Sequence, residues 1–156
     1  MLLPFSVRVR LNAVPARRAV DAPEVLAGKR LFHEIGCAEC HRPQWTTAPS
    51  EEFPALASQR IWPYTDLLLH DMGEGLADGV REGVALGSEW RTPPLWGIHL
   101  AKVVGGKGIG FLHDGRARNF KEAIVWHGGE AERSKLKWMA LEANQREYVI
   151  AFLKSL

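Results

Sequence analysis

Apolar side chains recur with a helical period near the start of the chain and predict a helix over about residues 22–35. One face carries Ala22, Val25, Leu26 and Phe32. Asp21 is the expected N-cap, with Glu24 as its capping-box partner, and Pro23 is acceptable in a first turn. Gly36 is expected to end the helix.

Two later segments show the same period. A helix is predicted from Asn119, a favourable N-cap, to Trp126, and a last helix over about residues 143–156. The apolar face of the first of these carries Phe120, Ala123, Ile124 and His127, and that of the last carries Val149, Phe152, Leu153 and Leu156. We expect the last apolar stripe to pack on the helix over residues 22–35.

The intervening segments lack such a period. Residues 42–63 are rich in Pro, Thr and Ser and predict a long loop, and the glycines of residues 73–87 predict turns. Residues 5–11 alternate apolar and polar positions, which predicts a short strand or an extended tail. We therefore expect a mostly α fold in which residues 1–20 form an extension and residues 21–156 form the domain.

Composition narrows the class of protein. The 156 residues are 46% hydrophobic and 24% charged, with a net charge of +2. These values argue against intrinsic disorder and against a nucleic-acid partner. No apolar run approaches the ~20 residues that span a bilayer, so no transmembrane segment is predicted. The six tryptophans either fill the core or surround a flat ligand.

The two cysteines lie in one short motif, CAECH at residues 37–41. This spacing predicts covalent attachment of one haem c, because two thiols add to the porphyrin vinyl groups and His41 then falls beneath the iron. A structural zinc site needs four ligands, and no second CxxC or HxxxH motif is present. A redox dithiol would require a βαβ context. A chance pair of small apolar residues is the remaining alternative.

A haem iron bound by His41 has a second axial position. His127 is the favoured ligand because it lies on an apolar helix face, although such a histidine is usually a core residue. Met72, in a flexible stretch, is the alternative, and Met139 or an open position remain possible. A thioether ligand would raise the redox potential relative to two imidazoles. The other histidines that could supply an axial nitrogen are His33, His70, His99 and His113.

A second polar cluster is formed by residues 113–116. His113 and Arg116 are candidate catalytic residues, since Asp114 can orient His113 and Arg116 can face a haem propionate or a bound peroxide. The competing interpretation is a local turn, in which Asp114 caps the backbone and Gly115 takes a positive φ. The residues alone leave both interpretations open.

Nearly the whole chain resembles the C-terminal domain of the bacterial dihaem oxidoreductases, the thiol oxidoreductase-like relatives of the dihaem cytochrome c peroxidases. The matching stretches are AVPARR (13–18), GKRLFHEIGCAECH (28–41), PYTDLLLHDMGEGLADG (63–79), EWRTPPLWGI (89–98), FLHDGRARNFKEAIVWHGGEAE (111–132) and IAFLKSL (150–156). Together they are far more specific than CxxCH alone.

The resemblance implies a c-type cytochrome fold, with N- and C-terminal helices packed together and long loops around one haem. It implies that Cys37 and Cys40 bind the haem and that His41 is the proximal ligand. In the peroxidase relatives a distal methionine follows the HDG motif by fourteen positions, and the same count from His113 reaches His127. A histidine there departs from that pattern and implies a lower-potential haem.

The family carries two haems on a longer chain, whereas this chain has one CxxCH. We therefore expect an electron-transfer domain, the C-terminal half of a dihaem oxidoreductase, whose partner is a redox protein or a second haem domain. The alternatives are a peroxidase-like enzyme acting at the iron and a non-haem fragment with a free dithiol. Haem c is attached outside the bacterial cytoplasm, so periplasmic export is expected. Residues 1–20 lack a continuous apolar signal, which favours a fragment.

Overall fold

A computed structural model describes residues 11–106 and 108–156, and this part of the chain contains five α-helices. They are α1 (Pro23–Glu34), α2 (Ala101–Gly105), α3 (Phe120–Trp126), α4 (Glu132–Met139) and α5 (Ala143–Ser155). Short 3-10 turns occur at Cys37–Glu39, Pro54–Leu56, Ile98–Leu100 and Gly129–Ala131. The strand predicted over residues 5–11 lies outside the described residues, apart from Leu11. None of the described helices is long and apolar enough to cross a membrane.

Two small sheets occur that the sequence did not predict, the first of them within the loop predicted over residues 42–63. Strand β1 (Trp45–Thr46) pairs antiparallel with β2 (Arg60–Ile61), and β3 (Leu69–Asp71) pairs antiparallel with β4 (Glu89–Arg91). The prediction of a mostly α fold is therefore confirmed only in part. Strands of two or three residues are too short to show the alternation by which a sequence predicts them.

The helix ends follow the sequence at most positions. Asn119 caps α3, because its Oδ1 accepts a hydrogen bond from the Glu122 backbone N–H at 3.0 Å. Gly36 follows α1 with a φ of 97°, a conformation that glycine adopts at little cost. The prediction that Asp21 is the N-cap of α1 is wrong. Ala22 occupies the N-cap position and makes no side-chain hydrogen bond to the helix, which begins at Pro23. Asp21 lies one residue too early to reach the first turn.

Helices α1 and α5 pack against each other, as predicted. They approach most closely at Gly28, where an added Cβ would lie 1.8 Å from the Tyr148 carbonyl oxygen. The shared core contains Val25, Phe32, Ile35, Tyr64, Leu95, Trp138, Val149, Ile150, Phe152, Leu153 and Leu156. The Phe32 ring lies 5.2 Å from the Phe152 ring and 6.2 Å from the His41 ring, so the core extends from α5 to the CAECH motif.

Residues 11–20 contain no helix or strand but contact the end of α5. The Arg18 backbone N–H donates to the Ser155 carbonyl at 2.9 Å, and the Arg17 guanidinium donates to the Ser155 hydroxyl at 2.9 Å. The Gly97 N–H donates to the Leu156 carbonyl at 2.7 Å. The bonds of Arg17 and Arg18 join the described part of the predicted extension to the helical core. The division at residue 20 stays a prediction.

Candidate functional site

The CAECH motif begins immediately after α1. The chain turns at Gly36, makes a 3-10 turn over Cys37–Glu39, and the His41 N–H donates to the Cys37 carbonyl at 2.9 Å. Cys37 and Cys40 are both partly buried free thiols. Burial raises the pKa of Cys37 to about 12 and also raises the pKa of Cys40, so both sulfurs stay protonated at neutral pH.

The His41 imidazole is held by the main chain. Its Nδ1 lies 3.1 Å from the Tyr64 carbonyl oxygen. A carbonyl oxygen only accepts, so Nδ1 carries the hydrogen and Nε2 of the neutral ring keeps its lone pair. Burial, with a smaller contribution from His127, lowers the pKa of His41 to about 4. His41 is therefore neutral, which is the form that binds a metal.

The His127 imidazole is also held by a main-chain carbonyl. It follows the last residue of α3, and its Nδ1 lies 2.7 Å from the Ala123 carbonyl oxygen one turn earlier. This bond again leaves Nε2 as the bare nitrogen. Burial lowers the pKa of His127. The helix that the sequence predicted thus carries a neutral imidazole whose coordinating atom is available.

The His41 and His127 rings are neighbours, and the distance between their centroids is one that two ligands of a single metal would have. Their ring centroids are 6.4 Å apart, with an angle of 47° between the ring planes. An imidazole nitrogen lies roughly 2 Å from a bound metal, so two rings on opposite sides of one ion have centroids about 6 to 6.5 Å apart. The donor set of His41 and His127, with two thiols beside His41, therefore fits an iron porphyrin of the c type.

The other axial candidates differ in their surroundings. Met72 follows β3, and its carbonyl oxygen lies against the turn after His127, 2.9 Å from where a Cβ on Gly128 would be. His33 and Met139 are exposed. The Nδ1 of His99 is buried and has no hydrogen-bond partner among the described residues. Among these candidates, His127 is the one whose ring is a neighbour of the His41 ring, at a centroid distance of 6.4 Å.

The candidate catalytic residues His113 and Arg116 are engaged in contacts of their own. The His113 ring stacks on Trp90 at 3.5 Å with an interplanar angle of 8°. The Arg116 guanidinium pairs with Asp114 at 2.5 Å and lies 4.9 Å from the centre of the Trp126 ring. Within residues 11–106 and 108–156, neither side chain has a hydrogen bond or ring contact with His41 or His127. Trp126, however, directly precedes His127.

Only some of the tryptophans fill the core. Trp138 is 5% exposed and lies in the core, whereas Trp45, Trp62 and Trp126 are 36%, 48% and 42% exposed. Trp45 also donates its indole N–H to the Thr65 carbonyl at 2.7 Å and stacks under the Arg42 guanidinium. Core filling alone therefore does not explain the high tryptophan content.

A charged cluster that the sequence analysis did not predict lies beside Cys40. The two ring nitrogens of His70 each contact a carboxylate at 2.8 Å, Nε2 with Asp66 and Nδ1 with Glu130. Although burial opposes it, hydrogen bonds with Glu130 and Asp66 raise the pKa of His70. Asp66 and His70 are four positions apart, but Glu130 is distant in sequence, and no local pattern links it to them.

Cys40, Asp66 and His70 also place one potential ligand atom each within 4.8 Å of one another. A metal ion would need a bare nitrogen on His70. Both nitrogens already contact carboxylates, which only accept when ionised, so the ring carries two N–H groups. The arrangement fits an imidazolium between two carboxylates better than a metal centre.

Two similar curated proteins share part of the sequence. Proteins named "Orotidine 5'-phosphate decarboxylase" from Methylorubrum populi and Methylorubrum extorquens are each 33% identical over 96 residues, which is 59% of this chain and 41% of each of those proteins. The chain thus spans less than half their length. No solved structure matches the chain significantly.

A family comparison covers much more of the sequence. The pattern of a family described as "Di-haem oxidoreductase, putative peroxidase" matches residues 7–156. This range includes the CAECH motif, α3 with His127, and both small sheets. Because the match extends over almost the entire sequence, the chain belongs to the di-haem oxidoreductase family, whose name implies a haem cofactor.

Proposed function

We propose that this chain is a one-haem electron-transfer domain of the c type. Cys37 and Cys40 would attach the haem covalently, and His41 and His127 would be its axial ligands. The observation that carries this proposal is the pair of neutral imidazoles at 6.4 Å, each with its Nδ1 hydrogen-bonded to a main-chain carbonyl. Bound haem iron supplies a one-electron redox couple.

The protein's contribution is to hold two nitrogen ligands in place. The Tyr64 and Ala123 carbonyls restrain the two rings and favour the tautomer that exposes Nε2. The Phe32 side chain packs beside His41 and limits the access of water. Two imidazoles favour a lower potential than an imidazole and a thioether would. Tight ligation on both sides favours electron transfer over binding of a substrate at the iron.

We infer the chain's place in a larger system from its haem motif count and from its resemblance to the C-terminal domain of the dihaem oxidoreductases. The family name specifies two haems, whereas this sequence has one CAECH motif and no other cysteine. We infer that the chain corresponds to the C-terminal half of a dihaem oxidoreductase and exchanges electrons with a second haem domain or a redox protein. Because haem c is attached outside the bacterial cytoplasm, the proposal implies an exported, periplasmic location.

The test is expression with export and the haem-maturation machinery, followed by mass analysis and a ferric absorption spectrum. We expect one covalent haem and a low-spin spectrum. His127→Ala should convert the iron to high spin, while the matched variant Met72→Leu should leave it low spin. A colourless product with two unmodified thiols would refute haem attachment. High spin in Met72→Leu but not in His127→Ala would assign the ligand to Met72 instead.

A second candidate function is peroxidase-like chemistry at the iron, assisted by His113 and Arg116. It is favoured by the family description and by the position of Arg116 over Trp126, next to His127 in sequence. Arg116 would supply positive charge near a bound anion, and Asp114 would orient it. A high-spin ferric fraction that reacts rapidly with peroxide, and slows in Arg116→Leu, would support this function over simple electron transfer.

A further inference from the structure

Outside the proposed haem ligands, Asp66, His70 and Glu130 form a cluster of short charged contacts. Asp66 and His70 are largely buried, with 10% and 15% of their side chains exposed, and the Glu130 side chain is 56% exposed. Ion pairs on open surfaces contribute little, but partly buried pairs with short contacts hold segments together more firmly. The cluster joins the segment that follows Tyr64 to the turn that follows His127.

One end of the cluster belongs to the segment that supports His41. Asp66 lies two residues after Tyr64, whose carbonyl accepts the His41 Nδ1–H. The Asp66 carboxylate also accepts the Leu68 backbone N–H at 3.0 Å, which holds the chain between Tyr64 and strand β3 in a turn. A displacement of Asp66 would therefore be transmitted to the His41 support.

The other end belongs to the turn that follows His127. Glu130 lies three residues after His127, in the 3-10 turn Gly129–Ala131. Its carboxylate accepts from His70 through one oxygen and from the Asp71 backbone N–H, at 3.0 Å, through the other. The backbones are also in close contact, because a Cβ on Gly129 would lie 2.2 Å from the Asp71 carbonyl oxygen.

Phe120 and Ile124 pack α3 against the core, but the hydrogen bond of His127 does not locate its ring relative to His41. Its Nδ1 bond runs to Ala123 within the same helical turn, so the bond orients the ring on α3 but ties α3 to nothing else. Lys121 pairs with Glu147 of α5 near the start of α3, more than a turn from His127. The link from Glu130 to His70 is the charged contact that lies closest in sequence to His127 on its C-terminal side.

We propose that His70 is a positioning residue, which bridges Asp66 and Glu130 and so keeps His127 opposite His41 at ligand distance. The inference rests on the proposed function, because it assigns a role toward the haem that His41 and His127 would bind. His70 acts through the two carboxylates and not on the iron. When the bridge is removed, the turn after His127 loosens and the Nε2 of His127 leaves its ligating position more often.

The experiment uses the exported, haem-loaded chain and compares His70→Ala, Glu130→Gln and the control Glu147→Gln. The control removes an exposed charge of α5 that pairs with α3 but has no contact with the His70 bridge. We expect a partly high-spin ferric spectrum in the first two variants and cyanide binding about tenfold faster than in the control, as for the loss of a charged hydrogen bond. His70→Ala combined with Glu130→Gln should add little.

The outcomes separate this inference from the proposed function. Low-spin spectra and control-like cyanide rates in haem-loaded His70→Ala and Glu130→Gln would overturn the positioning role and leave the haem ligands intact. A wild-type chain without covalent haem, or without a low-spin spectrum, would refute both proposals. Should His70→Ala fail to load haem, Glu130→Gln decides, because it replaces one oxygen by an amide nitrogen and keeps the side-chain size.

Discussion

The close approach of α1 and α5 makes Gly28→Ala the most sharply defined perturbation of the fold. An added Cβ would lie 1.8 Å from the Tyr148 carbonyl oxygen and 2.9 Å from the Phe152 Cβ. The helices must therefore separate by more than an ångström, and the obstructing atom is main chain that cannot rotate away. Overpacking costs about 1–3 kcal/mol or more, while alanine regains about 1 kcal/mol of helix propensity. Because this contact is with backbone, we expect a net loss of about 2 kcal/mol.

Thermal unfolding of the haem-loaded protein measures this loss. For a chain of this size, 2 kcal/mol corresponds to a melting temperature lower by about 4–8 °C. Arg30→Ala, an exposed change on the same helix, is the matched control and should melt with the wild type. An unchanged or higher melting temperature for Gly28→Ala would show that the helices are not in backbone contact at this point, and the packing argument would be wrong.

Three further predictions concern other contacts. Asn119→Ala should lower the free energy of unfolding by about 1 kcal/mol in a urea titration, because the Glu122 N–H loses its acceptor; an equal loss in Asn119→Asp would contradict the cap. Burial opposes protonation of His70, but the hydrogen bonds with Glu130 and Asp66 raise its pKa. The protonated ring therefore stabilises the fold fully below the usual histidine pKa, and this stabilisation is lost as pH rises through the raised pKa. The melting temperature of the wild type should fall over that pH interval, and that of His70→Gln should not. His113→Ala should lower the free energy of unfolding by about 0.5–1.5 kcal/mol, because the ring no longer stacks on Trp90. The same variant should change the tryptophan fluorescence, and an unchanged emission spectrum would refute the stack.

Helices α1, α3 and α5 were predictable because each carries an apolar stripe at helical spacing, whereas α2 and α4 were not predicted from the sequence. Helix α1 begins and ends within one residue of the prediction, and the apolar stripe of α5 packs where expected. Strands β1 to β4 are too short to show alternation, and they form through pairing with residues up to about 22 positions away. Asp21 failed as a cap because proline at position 23 sets where the first turn begins.

The candidate site was predictable where it depends on local spacing. The CAECH motif brings Cys37, Cys40 and His41 together by adjacency, and helical spacing put His127 on an inward face. The supports of the two rings were not predictable, since a main-chain carbonyl has no identity in the sequence. Glu130 was missed because it reaches His70 across 60 positions, and a pairing at that separation depends on the tertiary fold.

Main-chain acceptors for both imidazoles make ring orientation insensitive to amino-acid replacement. Any residue at position 64 or 123 would still present a carbonyl oxygen to His41 or His127. The tautomer of the two imidazoles thus depends on the path of the backbone and not on the identity of neighbouring side chains. Substitution at those two positions would alter packing and polarity around the two rings, while the main-chain carbonyls would still accept from the same Nδ1 atoms and leave both Nε2 lone pairs free.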